Sequence, residues 1–432
     1  MAVVGIAGGS ALQKRKHFVF GSGAAGLSAL KQIRKLGSHD EVKLVTMEDC
    51  SPYSPMSLPY LISGRRKESE IYIADSDYFH RMKATLVRGR RIEAIDPNHD
   101  RVIYENGESE SYDTLLIATG SEPSIQPILR EADIPGFHIM NDYMRLKDLK
   151  DKSKITILGA GFVGMELAVA LCEKGHKVSV IAPRERILRL YFDPELDDLI
   201  ISLFRDQGIQ INLRWGEVTE VKKGDTTFEA VFAEGHKIET GLLIAATGVT
   251  PRVSFLKGSG INVNKGIVVN GQMRTNISNI FAAGDVAEAP SFFTGKNGLS
   301  LIWPSAIEQG KIAGSNMIEE EAVYDGWLSM NTFNFFGHVA LSIGEFMASE
   351  GDDVFEEKDA GKRKYIKMVY RDNRLVGANF FNIDVDGGAV RYLIKNRVDV
   401  GPHKKLLLKK PKEASLWLMG QAETRSTLSL ER

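Results

Sequence analysis

The chain has 432 residues, of which 43% are hydrophobic and 26% charged, with a formal net charge of −1. That length supports two or three domains with sizeable cores, and the charge balance gives no reason to expect nucleic acid or an anionic membrane surface as a partner. No apolar run is long enough to span a bilayer, and two cysteines, Cys50 and Cys172, cannot build a disulfide scaffold or by themselves ligate an iron–sulfur cluster, so a cytoplasmic chain with no resident metal is expected.

Residues 2–12 are apolar but lack a charged start and run into Lys14, Arg15 and Lys16, which reads as a loose N-terminal extension rather than a secretory signal. Residues 17–48 read as strand, glycine turn, helix and strand: an apolar run at 17–20, Gly21, Gly23 and Gly26 in GxGxxG spacing, an apolar-periodic stretch to Leu36, and an apolar run at 42–45 before Glu48. A strand-and-turn region follows and ends in an apolar run leading to Ala118, Thr119 and Gly120. Residues 155–182 repeat the first plan, with Gly159, Gly161 and Gly164 in the turn, and a strand ending at Gly248 closes this second unit. Gly37 and Gly175 stand where helix C-caps are expected. Residues 280–288 form a buried strand ending in Gly284 and Asp285, and 305–320 read as a helix. From about 330, aromatic strands carrying Phe333, Phe335 and Phe336 lead to a strand at 364–370, a turn at Asp372 and Asn373, and a strand at 375–381. Residues 402–432 are lysine-rich, then polar, with little pattern.

The glycine turns carry the chemistry. In a strand–GxGxxG–helix unit the first glycine permits the tight turn, the second lets backbone approach a pyrophosphate, and the third lets helix pack on strand. The helix N-terminus then offers unpaired N–H groups and a positive partial charge to phosphate. One such turn is weak evidence, because glycine-rich turns also occur for purely steric reasons; two in the right context point to two dinucleotide sites. Glu48, past the second strand of the first unit, is placed to accept ribose hydroxyls. The second unit has Ala182 there, followed by Arg184, Glu185 and Arg186. An arginine at this point suits a 2′-phosphate, Glu185 suits an unphosphorylated ribose, and NAD and NADP both stay open.

The order of these motifs resembles the FAD-dependent pyridine nucleotide–disulfide oxidoreductase superfamily over roughly residues 17–400. The resemblance implies an α/β fold with two nested Rossmann-like dinucleotide-binding domains and a C-terminal α+β interface domain. The expected boundaries are 1–120 with 250–325 for FAD, 121–249 for NAD(P), 326–401 for the interface domain, and 402–432 as a tail. It implies that Gly21, Gly23, Ala25, Gly26, Glu48, Ala118, Thr119, Gly120, Gly284 and Asp285 bind FAD, with Asp285 on the ribityl chain. Trp303 to Ala306 open a helix aimed at the flavin. Gly159, Gly161, Gly164, Arg184, Glu185 and Gly248 line the nicotinamide nucleotide, Phe162 is a gating aromatic, and Glu166 orders the flavin–nicotinamide contact.

One departure is informative. The stretch 52–64, with Leu58, Pro59, Tyr60 and Gly64, resembles the segment that carries the redox cysteine in coenzyme A-disulfide reductases and NADH oxidases, but Met56 occupies the cysteine position. A thioether forms neither a thiolate nor a disulfide. The stretch is most similar to FAD subunits of multi-subunit oxidoreductases, of the kind in phenylglyoxylate dehydrogenase, a 2-oxoacid:acceptor oxidoreductase. That resemblance implies hydride exchange between nicotinamide and FAD, single electrons exchanged with an iron–sulfur subunit, and a homodimer or partner contact through the C-terminal domain. The alternatives are a stand-alone NAD(P)H oxidase or coenzyme A-disulfide reductase, which Met56 opposes, and an NADH-sensing flavoprotein acting by partner binding.

Overall fold

The computed structural model describes residues 14–75, 77–149 and 152–430, with side chains to 424; the expected extension at 2–12 lies outside the described residues. The chain divides into two compact units. The first comprises the described residues of Met1–Tyr53, Tyr72–Ser121 and Pro251–Trp327, the second those of Ser54–Ile71, Glu122–Thr250 and Leu328–Arg432.

The first unit is built on a five-stranded parallel sheet. Its spatial order is Ile280–Ala282, Thr114–Ile117, Lys16–Phe20, Glu41–Val45 and Thr85–Val87. Phe18, Val19, Leu115 and Leu116 are fully buried at its centre. Continuous apolar runs of this kind suit a parallel strand covered on both faces. The helix Ala24–Lys35 turns Leu27, Leu30 and Ile33 inward and ends at Leu36, followed by Gly37 at φ +82°. The helix Trp303–Met317 packs along it. This contact is closer than ordinary side chains allow. A Cβ on Gly310 would overlap the Ala25 backbone, and one on Gly314 would lie 2.6 Å from the Ala29 carbonyl oxygen. A small antiparallel sheet of Ile92–Asp96, Arg101–Tyr104 and Ser109–Ser111 completes the strand-and-turn region.

The second unit has a four-stranded parallel sheet in the order Gln210–Leu213, Lys177–Ala182, Lys154–Leu158 and Leu242–Ala245. The helix Phe162–Glu173 follows its glycine turn, and Gly175 at φ +84° lies just past its end. The helix Pro194–Asp206 begins with Pro194 in its first turn and the Asp193 side chain accepting the Glu195 N–H. The C-terminal part is a five-stranded antiparallel sheet: Met330–Phe335, His338–Gly344, Arg374–Phe381, Lys364–Arg371 and Asp353–Asp359. Asp372 and Asn373 both take positive φ, the two-residue turn whose twist matches a hairpin.

Two features differ from the sequence expectation. The segment Ser54–Ile71, which carries Met56, joins the second unit rather than the first. Its short helix Leu58–Ile62 buries Leu58, Leu61 and Ile62 and packs against Phe162–Glu173 and Met140–Leu146. Each such burial stabilises by about 1.5–3 kcal/mol. The expected patternless tail is instead helical, at Lys404–Lys409 and Pro411–Leu430. Only Ala414, Ser415 and Leu418 are buried past Pro411 among the described side chains, a stripe too small and polar to read as a periodic apolar face.

Candidate functional site

The two glycine turns are stereochemical copies. Gly21 sits at φ +118° and Gly159 at φ +117°. A Cβ on Gly21 would overlap the Ala118 carbonyl oxygen, and one on Gly159 the Ala246 carbonyl oxygen. The third glycines, Gly26 and Gly164, press against the carbonyls of Gly21 and Gly159. At the middle glycines, Gly23 and Gly161, an added Cβ would meet nothing within 4 Å, and no side chain caps either helix. Both helices therefore open with uncapped N–H groups facing space that a pyrophosphate can approach. A dinucleotide fits this backbone in each unit.

In the first unit the other candidates gather at the carboxyl ends of three adjacent strands, where ligands bind in open α/β sheets. Thr119 Oγ1 donates to the Arg252 carbonyl at 3.1 Å, and Gly120 accepts the Arg252 N–H at 3.0 Å. Ala25, Gly284 and Ala306 crowd together: a Cβ on Gly284, at φ +84°, would lie 3.2 Å from Ala25 Cβ and 3.7 Å from Ala306 Cβ. The Gly284 N–H donates to Gln309 Oε1 at 2.8 Å, and Ser121 Oγ donates to Asp285 Oδ2 at 2.8 Å. Glu48 accepts a 2.8 Å hydrogen bond from Tyr53 Oη. Trp303 opens the helix expected there, with no side chain capping its N-terminus.

In the second unit Phe162 stands at the head of its helix in an aromatic cluster. Its ring centroid lies 4.4 Å from Tyr191 and 5.9 Å from both Phe192 and Phe333. Glu166, one turn along, faces a hollow lined by Pro59, Tyr60, Arg65 and Glu173, and burial pushes its carboxyl up to about 7. Arg65 and Glu173 form an ion pair there. Met56 does not line this hollow; it is 54% exposed on the turn Pro55–Ser57. Gly248, at φ +109°, accepts the Ser124 N–H.

The residues after Ala182 divide sharply. Arg184 is exposed, with no ion pair among the described residues. Glu185 pairs with Arg214 at 2.9 Å on the surface. Arg186 turns inward to Asp197 at 2.6 Å and to the Phe192 carbonyl. Of the two arginines the sequence offers as phosphate ligands, only Arg184 presents an uncommitted guanidinium. Burial raises the thiols of both cysteines, Cys50 to about 11 and with Glu48 adding to it, and both cysteines are free.

Sequence reasoning missed Tyr53, Ser121, Gln309 and Arg214 as neighbours of these groups. Ser121 directly follows Gly120, and Gln309 lies one helical turn beyond Ala306. Those positions were the available signals. Among the described residues no cluster of His, Cys, Asp and Glu forms a metal site, and no helix is long and apolar enough to cross a membrane.

Subunit epsilon of the NADH-dependent phenylglyoxylate dehydrogenase of Aromatoleum evansii is 32% identical over 95% of this chain and 99% of its own length. The NADH-rubredoxin oxidoreductase of Clostridium acetobutylicum is 29% identical over 85% of this chain and 91% of its own. The water-forming NADH oxidase of Lactobacillus brevis, solved with NADH bound, shares the fold with a TM-score of 0.83 at 23% identity, covering 96% of this chain and 100% of that one. The family pattern described as pyridine nucleotide-disulphide oxidoreductase, whose members use FAD and NAD(P)H, matches residues 15–310. The chain belongs to that family and is one of its NAD(P)H-dependent flavin oxidoreductases.

Proposed function

We propose that this chain is the flavin subunit of a larger oxidoreductase, exchanging hydride between NADH and FAD and single electrons with an iron–sulfur partner. The observation that carries the proposal is the missing thiol. Met56 stands where a redox cysteine is expected, and neither Cys50 nor Cys172 has a thiol lowered toward reactivity. Bound FAD supplies the capacity to take up a hydride and to release electrons one at a time. The protein binds and orients. The helix at Gly23 takes the FAD pyrophosphate, Glu48 the adenosine ribose, and Asp285 the ribityl chain. Ala118, Thr119 and Gly120 form the floor. The N-terminus of Trp303–Met317 places its positive end toward reduced flavin. The helix at Gly161 takes the NADH pyrophosphate, with Phe162 gating and Glu166 ordering the nicotinamide. NADH is preferred over NADPH, since one exposed arginine, Arg184, is a weak phosphate site.

The finer identity follows the Aromatoleum evansii relative, which is a subunit of a phenylglyoxylate dehydrogenase. By this reading the complex oxidises a 2-oxoacid in the cytoplasm, and the C-terminal sheet domain contacts a partner subunit or a second copy of this chain. The test is native purification followed by assay. The expected preparation is yellow, releases FAD, reduces artificial dyes with NADH, shows little coenzyme A-disulfide reduction, and gains physiological turnover when copurifying iron–sulfur subunits are returned. Full turnover with coenzyme A disulfide by the isolated chain overturns the proposal in favour of a self-contained reductase.

A further inference from the structure

Asp285 follows the strand Ile280–Ala282, and two buried side chains from other parts of the first unit bond to this turn, one at Asp285 itself and one at the preceding Gly284. Ser121, 164 residues earlier, donates its hydroxyl to Asp285 Oδ2 at 2.8 Å. Gln309, on the helix Trp303–Met317, accepts the N–H of Gly284 at 2.8 Å. Ser121 is 3% exposed and Gln309 fully buried. Gly284 needs such a restraint. It takes a left-handed φ of +84°, and a glycine has the widest backbone freedom of any residue. The carboxylate gains from one as well, because a charge-assisted hydrogen bond to one oxygen favours a single orientation about its side-chain torsions. Sheet pairing supplies the frame: Ala282 lies beside Ile117, and the Ala283 N–H donates to the Ile117 carbonyl at 3.1 Å.

We propose that Ser121 and Gln309 are positioning residues that present Asp285 to a sugar hydroxyl of FAD in one orientation. Ser121 fixes the carboxylate and Gln309 fixes the backbone that carries it. The inference rests on reading Asp285 as an FAD ligand and adds two residues that act through it. It also ties the helix Trp303–Met317 to the ribityl contact, so that displacement of this helix disturbs FAD binding through Gly284.

The experiment is a titration of apoprotein, prepared from the full-length holoprotein, with FAD while flavin fluorescence is followed. Unfolding of each apoprotein is measured without FAD. Ser121→Ala and Gln309→Met each weaken binding about tenfold, as expected for loss of a shielded hydrogen bond at or next to a charged group. Ser121→Thr, which keeps the hydroxyl, binds within about threefold of the parent. Adding Ser121→Ala to Asp285→Asn weakens binding little further, because a residue that acts through Asp285 has nothing left to position. If Ser121→Ala binds FAD as tightly as the parent, or weakens it equally in the Asp285→Asn background, the inference is wrong. A Gln309→Met apoprotein that is less stable yet binds FAD normally removes Gln309 from it, and the Ser121 cycle stands if that variant does not fold. Parent apoprotein that binds no FAD at all overturns the FAD reading itself, a separate outcome.

Discussion

The thiol of Cys50 lies 3.9 Å from the carboxylate of Glu48, an acid that also accepts a hydrogen bond from Tyr53. Burial and this neighbouring charge push the thiol up to about 11. At pH 8 it therefore carries far less thiolate than an exposed cysteine, and thiolate is the reacting form. Alkylation by iodoacetamide at pH 8 is expected to be on the order of a hundredfold slower at Cys50 than at a free thiol. Replacing Cys50 and Cys172 by serine leaves NADH-driven dye reduction within about twofold of the parent, on the same thiolate argument. Mixing with NADH gives flavin reduction without a thiolate-to-flavin charge-transfer band. Appearance of that band, and its loss in Cys50→Ser, would make Cys50 a redox thiol.

Glu166 offers a test by pH. Its carboxyl is raised from 4.5 to about 7 by burial, so the folded chain holds a proton that the unfolded chain releases. Stability from this group is fully present below about pH 4.5 and is lost as pH rises through about 7. Glu166→Gln, which cannot ionise, escapes that loss. Relative to the parent it is expected to gain about 2–3 kcal/mol between pH 5 and pH 8, read from denaturant midpoints at the two pH values. A constant difference at both would show that Glu166 does not titrate in this window.

Two helical glycines are expected to respond in opposite directions to the same substitution. Gly310 lies in Trp303–Met317 against the backbone of Ala25, so Gly310→Ala forces the two helices apart and costs about 1–3 kcal/mol. Gly420 lies in Pro411–Leu430 with open space around it, so Gly420→Ala gains about 0.5–1 kcal/mol of helix propensity. Thermal unfolding of the two variants decides the matter. Equal signs would mean that the close approach at Ala25 does not control the packing.

Arg184 and Arg186 separate nucleotide selection from stability. Arg186 is held by Asp197 and the Phe192 carbonyl, so Arg186→Ala destabilises by about 1–3 kcal/mol while the NADH to NADPH ratio of kcat/KM stays within about twofold. Arg184→Glu instead lowers kcat/KM for NADPH at least fivefold and leaves NADH nearly unchanged, through like-charge repulsion of the 2′-phosphate. A large shift in cofactor ratio from Arg186→Ala would place that residue on the nucleotide after all.

The two glycine turns were legible in the amino-acid order because their constraint is local. Gly21 and Gly159 take φ near +117°, where a side chain would strike the next strand's carbonyl, and only glycine avoids that within a six-residue window. The hairpin turn at Asp372 and Asn373 and the missing thiol at Met56 were readable for the same reason, since each lies within a short window of the chain. Tertiary structure alone decided the rest. It moved Ser54–Ile71 into the second unit by burying Leu58, Leu61 and Ile62, turned Arg186 inward to Asp197, and built a C-terminal helix from a stretch without a periodic face. It also brought Ser121 to Asp285 across 164 residues, and Gln309 to Gly284. Such pairs leave no periodicity in the sequence, because they depend on which strands lie side by side and on how closely two helices pack, and both are settled only when the whole sheet is assembled.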